Sequence, residues 1–247
     1  QPKPPKPKTH QPNRHKPKEK PEAQRADVSK FVSEDEAGLF RSKTGLGQDR
    51  VIALENGIDL EAFDPAIPYE PVGEGRAPLI IFTGQMDYRP NVEAVCGFAR
   101  DMLPSIRSAY PEARFAIVGR KPTPDVLALA DMPGVLVTGE VADTRQWLAA
   151  ADVVVAPLLM ARGVQNKVLE AMAMAKPVVA SSAAAEGIDA TEMVIADGPA
   201  QAEAVTALLN DPIAARKLGE AARARMIARY GWEARLATLP AILGFGS

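Results

Sequence analysis

The sequence predicts an α/β fold, a doubly wound, mostly parallel six-stranded sheet followed by C-terminal helices, and two observations carry that prediction. From Leu79 onward six short apolar runs recur, at Leu79–Thr83, Arg114–Val118, Val135–Thr138, Asp152–Ala156, Pro177–Ala180 and Met193–Ala196. The stretches between them have the spacing and caps of helices. Continuous apolar strands that alternate with helices belong to a sheet covered on both faces, which is the parallel arrangement.

The elements follow in order. Residues 1–25 hold seven prolines and eight Lys or Arg against two Glu, with no bulky apolar side chain, and are expected to be a disordered or polyproline-like tail. Three readings of that tail stay open: a solvated segment, a basic arm touching nucleic acid or an anionic membrane, and a misassembled start. Residues 26–77 form a second unit. Lys30–Ser33 reads as a short strand, and Ser33-Glu34-Asp35-Glu36 supplies a capping box for a helix to about Lys43. Arg50–Leu54 is another strand, ended by the Asn56-Gly57 turn, before a Pro/Gly-rich linker over Asp64–Ala77. The third unit, 78–247, holds the six strands. Its helices are expected at Asn91–Ala109, Pro124–Asp131, Thr144–Ala150, Val164–Ala175, briefly after Ala183, at Ala200–Leu209, at Pro212–Tyr230 and from Gly231.

Composition narrows the function classes. With 47% hydrophobic and 24% charged residues the chain is an ordinary globular protein. The net charge of −2 divides into +6 over residues 1–25 and −8 over the rest, so the folded part lacks the basic face that nucleic-acid binding needs. Cys96 is the single cysteine, which excludes an intramolecular disulfide and a cysteine zinc cluster and fits a cytoplasmic setting. The longest apolar stretch, Trp147–Ala161, is shorter than the roughly 20 residues of a membrane span. The tail has no apolar core and is not read as a secretory signal.

In an open α/β sheet the ligand lies beyond the carboxyl ends of the strands, which directs attention to five loops. After Thr83, Gly84 lets backbone approach a ligand and Asn91 can cap the next helix; a plain strand-to-helix turn explains the same residues. After Val118, Arg120 and Lys121 place two cations at the rim, or are simply solvated. After Thr138, Val141 offers a flat apolar seat for a base, with Asp143 as a helix cap. The fourth loop is the most informative. Arg162-Gly163-Val164-Gln165-Asn166-Lys167 opens a helix near Gly163 with two cations and no acid, where free amides and the helix dipole already favour an anion. Glu170 stands three residues after Lys167 on the same helix face. The pair is either a surface ion pair or a two-part site, diphosphate at the helix entrance and two ribose hydroxyls on the carboxylate.

Other chemistries lack their residues. No phosphate loop of the G-x-x-x-x-G-K-[ST] type, no G-x-G-x-x-G after a strand, no G-x-S-x-G elbow and no metal-spaced His or Cys set occurs. No cofactor is expected; a nucleotide-diphospho-sugar would be a substrate. Cys96, in helical register with Val92, Val95, Ala99 and Leu103, reads as packing.

Taken together, Asn56-Gly57-Ile58-Asp59 with Phe63 and Pro65, Val118-Gly119, Gly139, Ala150-Ala151-Asp152-Val153 before Pro157, Val168-Leu169-Glu170-Ala171-Met172-Ala173, Pro177-Val178-Val179-Ala180 and Tyr230-Gly231-Trp232 resemble the C-terminal half of GT-B fold, family-4-like glycosyltransferases. The Gly163–Lys167 variant most resembles bacterial sugar transferases of exosortase-linked exopolysaccharide clusters. The resemblance covers about Asp27–Leu243. It implies a Rossmann-like domain that binds a nucleotide-diphospho-sugar, with Glu170 on the ribose, Gly163–Val168 and Lys167 on the diphosphate, and the Val141 loop near the base. It further implies transfer with retention to a glycan or lipid-linked acceptor, without a metal, in the cytoplasm and with peripheral association at the inner membrane face. Two departures stand out: Arg162 occupies the place where many relatives carry a first Glu, and of the acceptor domain only a remnant over residues 26–77 is recognisable. A non-catalytic α/β nucleotide-binding or interaction module and a nucleotide-sugar epimerase are the competing readings.

Overall fold

The computed structural model describes residues 25–31, 34–54, 56–72, 77–161, 163–189 and 191–236. Residues 1–24 of the Pro/Lys-rich tail, the capping Ser33 and Arg162 lie outside them.

The chain starts with a small β-α-β unit. Strand β1 (Ser29–Phe31), helix α1 (Glu34–Thr44) and strand β2 (Val51–Ala53) bring β1 and β2 together in parallel, with Lys30 opposite Ile52. Phe31 and Phe40 stack at 4.8 Å between ring centroids, and Arg41 ties the helix to the Val51 carbonyl and to Glu34. Asn56–Val72 then crosses to the larger part of the molecule without forming a strand, apart from a single parallel bridge between Ile58 and Gly231.

The larger part is a six-stranded, wholly parallel sheet in the order β5-β4-β3-β6-β7-β8. Its strands are β3 (Leu79–Thr83), β4 (Arg114–Val118), β5 (Val135–Gly139), β6 (Val153–Ala156), β7 (Val178–Ala180) and β8 (Val194–Ile195). Every residue of β3, β6 and β7 is buried, because helices cover both faces, and this is why these runs are apolar without alternation. The edge strand β8 has only two residues, with Ile195 facing solvent, where a four-residue strand was expected. The chain winds outward from β3 to β5, returns to lay β6 against β3, and winds outward the other way. The β3/β6 boundary is therefore the switch point at which loops diverge and a crevice opens.

The helices are α2 (Arg89–Gly97), a π turn over Phe98–Met102, α3 (Leu103–Ala109), α4 (Pro124–Leu127) with a 3₁₀ turn Ala128–Asp131, α5 (Thr144–Ala150), α6 (Asn166–Ala173), α7 (Ser182–Ala185), α8 (Ala200–Asn210), α9 (Pro212–Arg229) and α10 (Trp232–Leu236). Asp143, read from sequence as a cap, accepts from Arg145 N; Ser181 and Asp211 cap their helices in the same way, accepting from Ala184 N and Ala214 N. The single helix expected over Asn91–Ala109 carries the π turn just before Pro104. Proline has no N–H for the carbonyl four residues back and its ring crowds that carbonyl, so a wider turn accommodates it. Helix α6 begins at Asn166 rather than near Gly163. Gly163 adopts φ +64°, a left-handed conformation outside a helix, and Val164 turns into the core.

Candidate functional site

Three neighbouring strands end in, or are followed at once by, a glycine, and their loops are stitched into one floor. Gly84 N donates to Val118 O at 3.0 Å, Gly119 N to Gly139 O at 3.2 Å and Met86 N to Arg120 O at 2.9 Å. The approach is so close that a Cβ on Gly119 would lie 1.7 Å from the Gly84 carbonyl oxygen. Above this floor, at the β3/β6 switch point, a cleft of about 440 Å³ opens. Gly84, Asn91, Arg120, Val141, Lys167 and Glu170 are among the residues that line it.

Lys167, in the first turn of α6, is held by two neighbours. Its Nζ donates to Asn91 Oδ1 at 2.5 Å and sits 4.5 Å from the centroid of the Phe82 ring. Asn91 is itself buried and anchored through Nδ2 to Gln85 O at 3.0 Å. Burial pushes the Lys167 ammonium down to about 8, with Glu170 opposing the shift. Burial pushes Glu170 up to about 7, with Lys167 opposing. The two charges stay apart: among the described residues the Glu170 carboxylate accepts no hydrogen bond and joins no ion pair within 4 Å. A half-buried carboxylate and ammonium on one helix face, each short of partners, form an environment that a ligand with hydroxyl and anionic parts would complete.

The start of α6 adds to it. Gln165 stands at the cap without a capping side chain and no acid occupies the first turn, so the leading amides and the positive end of the dipole remain available to an anion.

Of the residues singled out from sequence, Gly84, Arg120, Val141, Lys167 and Glu170 line the cleft. Lys121, Gly163, Val164, Gln165 and Asn166 do not line it. Lys121, at φ +56°, pairs with Asp87 at 3.6 Å; Val164 is in the core; Gln165 closes its own loop by donating to Gly163 O at 3.1 Å. Asn166 accepts from Asn56 Nδ2 at 3.1 Å, and Arg162 lies outside the described residues. Asn91 is not a cap: Tyr88 holds the cap position of α2, and Asn91 in the first turn braces Lys167 instead. Gln85, Phe82 and Thr144 were missed from sequence.

A second hollow of about 360 Å³ lies at the amino ends of the strands, beside Pro78, Asp152, Lys176 and Arg216. There Lys176 Nζ donates to Ala149 O at 2.5 Å and Ala151 O at 3.1 Å, and Asp152 accepts from Leu79 N at 2.8 Å.

Residues 77–211 match the family described as glycosyl transferases group 1. A GDP-mannose-dependent monoacylated alpha-(1-6)-phosphatidylinositol monomannoside mannosyltransferase of Corynebacterium glutamicum is 28% identical over 233 residues, covering 84% of this chain and 59% of its own length. An alpha-maltose-1-phosphate synthase of Mycolicibacterium smegmatis is 29% identical over 232 residues, covering 78% of this chain and 56% of its own. Among solved structures, a glycosyltransferase of Rickettsia africae superposes with a TM-score of 0.70 at 16% identity, over 89% of this chain and 64% of that one. HepE of Anabaena, solved with UDP and glucose, gives 0.69 at 15% identity, over 89% and 63%. The chain thus spans less than two thirds of the length of each of these relatives.

Proposed function

The chain belongs to the group 1 glycosyl transferases, and from that premise we propose that its cleft holds a nucleoside-diphosphate sugar for transfer to a glycan or lipid-linked acceptor. The observation that carries this reading is the pair Lys167 and Glu170, one turn apart, half-buried and unjoined at the start of α6. The free amides of α6 and the Lys167 ammonium take the diphosphate. Glu170 accepts from the two ribose hydroxyls, and Val141 seats the base, with Gly84 and Arg120 also lining the cleft. Donor hydroxyls favour the ionised carboxylate and the diphosphate favours the protonated amine, so each shifted group recovers on binding the stabilisation that burial removed.

The same groups serve the reaction. When the bond between the sugar C1 and the diphosphate oxygen breaks, negative charge grows on the departing phosphate, next to the ammonium and the positive end of the helix. Retention at C1 follows the resemblance to family-4-like GT-B transferases, and a place in exopolysaccharide assembly that of the Gly163–Lys167 segment. The acceptor would lie against a domain of which residues 26–77 are a part. Among the described residues no helix is long and apolar enough to cross a membrane; the proposed setting is the cytoplasm, in peripheral contact with the inner membrane face where a lipid-linked acceptor would be met.

Calorimetric titration with UDP, GDP and their sugars tests this, with Glu170→Ala and Lys167→Ala as controls. Saturable binding that both substitutions weaken is expected. Absence of binding to every nucleotide and nucleotide sugar overturns the reading.

A further inference from the structure

We propose that the segment Asn56–Tyr69 is a strap that sets the position of α6 in the cleft, with Asn56 and Arg223 as its positioning residues. The proposal rests on the donor-binding reading only for the ligand used in one arm of its test.

The strap is fixed to the body of the protein as it leaves β2. Ile58 N donates to Tyr230 O at 2.7 Å, and Gly57 lies flat on Trp232, where a Cβ would come within 2.7 Å of the ring. From there it reaches α6 at both ends. At the amino end, Asn56 Nδ2 donates to Oδ1 of Asn166, the first residue of the helix, at 3.1 Å. At the carboxyl end, Arg223 of α9 bridges strap and helix: its NH1 donates to Ala173 O at 2.7 Å and to Phe63 O, and its NH2 to Leu60 O at 3.2 Å. Ala173 is the last residue of α6, where a cation complements the helix dipole and an otherwise unpaired carbonyl. The Tyr69 hydroxyl adds a contact at 3.8 Å to the sulfur of Met174, the next residue.

Helix α6 has eight residues, roughly 12 Å of axis, and Lys167 and Glu170 both lie between these two anchors. A helix so short, packed on the core by Val168, Leu169 and Met172 and held at each end by one segment, takes its exact placement from that segment. The strap also reaches the Val141 loop of the cleft. Arg145 donates to Ala62 O at 3.1 Å while its Nε holds the Asp143 carboxylate at 2.8 Å, and Asp143 caps α5 directly behind the Val141 loop. The geometry of the cleft is thereby tied to the chain that leads in from the β1-α1-β2 unit.

The test has two arms on the whole chain. In the first, UDP and GDP are titrated calorimetrically. Asn56→Ala is expected to weaken binding about threefold, as for loss of one exposed hydrogen bond, with an unchanged melting temperature. Combined with Asn166→Ala, its effect is expected to be less than the product of the two single effects. Arg223→Met is expected to weaken binding about tenfold, and Arg223→Lys to restore part of it, since an ammonium still reaches one carbonyl. In the second arm, carbon-13 NMR follows the Glu170 carboxyl without ligand. It is expected to titrate near 7 in the parent chain and roughly half a pH unit or more lower in Arg223→Met, as α6 loosens and water enters. Strap variants that lose only thermal stability, with nucleotide affinity and Glu170 titration unchanged, overturn the proposal. If the parent chain binds neither nucleotide, the functional reading fails and the ligand-free arm still decides the strap. If Arg223→Met does not fold, the same two readouts on Asn56→Ala decide it.

Discussion

The two ends of the central sheet each present a half-buried lysine near an acid, and they use them differently. At the amino ends of the strands, Lys176 spends its ammonium on two carbonyls and Asp152 holds the amide of Leu79. At the carboxyl ends, Lys167 has one side-chain oxygen and an aromatic face, and the Glu170 carboxylate has no described partner. Burial lowers the pKa of both lysines, so a displaced titration alone does not mark a site. What separates the ends is whether the hydrogen-bonding capacity of the buried charge has been used. The amino end is a brace; at the carboxyl end the Glu170 carboxylate keeps its hydrogen-bonding capacity among the described residues.

The largest expected effect comes from removing the charges themselves. Lys167→Ala or Glu170→Ala should weaken nucleoside-diphosphate binding about a hundredfold, corresponding to one or two charge-assisted hydrogen bonds, with little loss of melting temperature. Lys176→Met should do the reverse, costing about 1–3 kcal/mol of stability as two buried carbonyls lose their donor, with affinity unchanged. Calorimetry and thermal melts on the three variants decide it, and equal losses of affinity at both ends would break the contrast.

Next in size is Gly119→Ala. Its Cβ has no room beside the Gly84 carbonyl, so the loops after β3 and β4 must part, at a cost on the order of 3 kcal/mol in denaturant unfolding. Affinity should fall with it, because the floor of the cleft is what parts.

The pH dependence sharpens the contrast further. Glu170 titrates near 7 in the folded chain and near 4.5 unfolded, so its contribution to stability is complete below 4.5 and is lost as pH rises through 7. Lys167 titrates near 8 when folded and near 10.5 unfolded, so its contribution is present above 10.5 and is lost as pH falls through 8. Both groups are charged, and both are costly, between about 7 and 8. A ligand that needs carboxylate and ammonium together should bind best in that window, weakening by up to about tenfold per pH unit on either side. Glu170→Gln should flatten the acidic limb, and a pH series of titrations checks it. A smaller effect is expected from Asn91→Ala, about three- to fivefold weaker binding, since it removes the brace of Lys167 and leaves the amine in place.

Much of the fold was legible in the sequence because burial on both faces writes itself as continuous apolar runs: β3 and β4 begin and end where Leu79–Thr83 and Arg114–Val118 do. Proline chemistry at Pro104 and the left-handed turn at Gly163 shifted helix geometry in ways that hydrophobic spacing does not encode. Five chosen residues meet in the cleft because strand-end loops of a parallel sheet converge at the switch point, which is a property of topology. The rest depended on contacts far apart in sequence. Nothing local reveals that Asn91 will meet Lys167, that Asn56 will meet Asn166, or that Lys121 will turn to Asp87.

The burial of Lys167 has a chemical corollary. An amine that releases its proton near pH 8 exists substantially as a nucleophile in mildly alkaline buffer, whereas ordinary surface lysines are almost wholly protonated there. Acylating reagents at limiting dose should label this position ahead of surface lysines, making it a selective attachment point for a fluorophore or a covalent inhibitor.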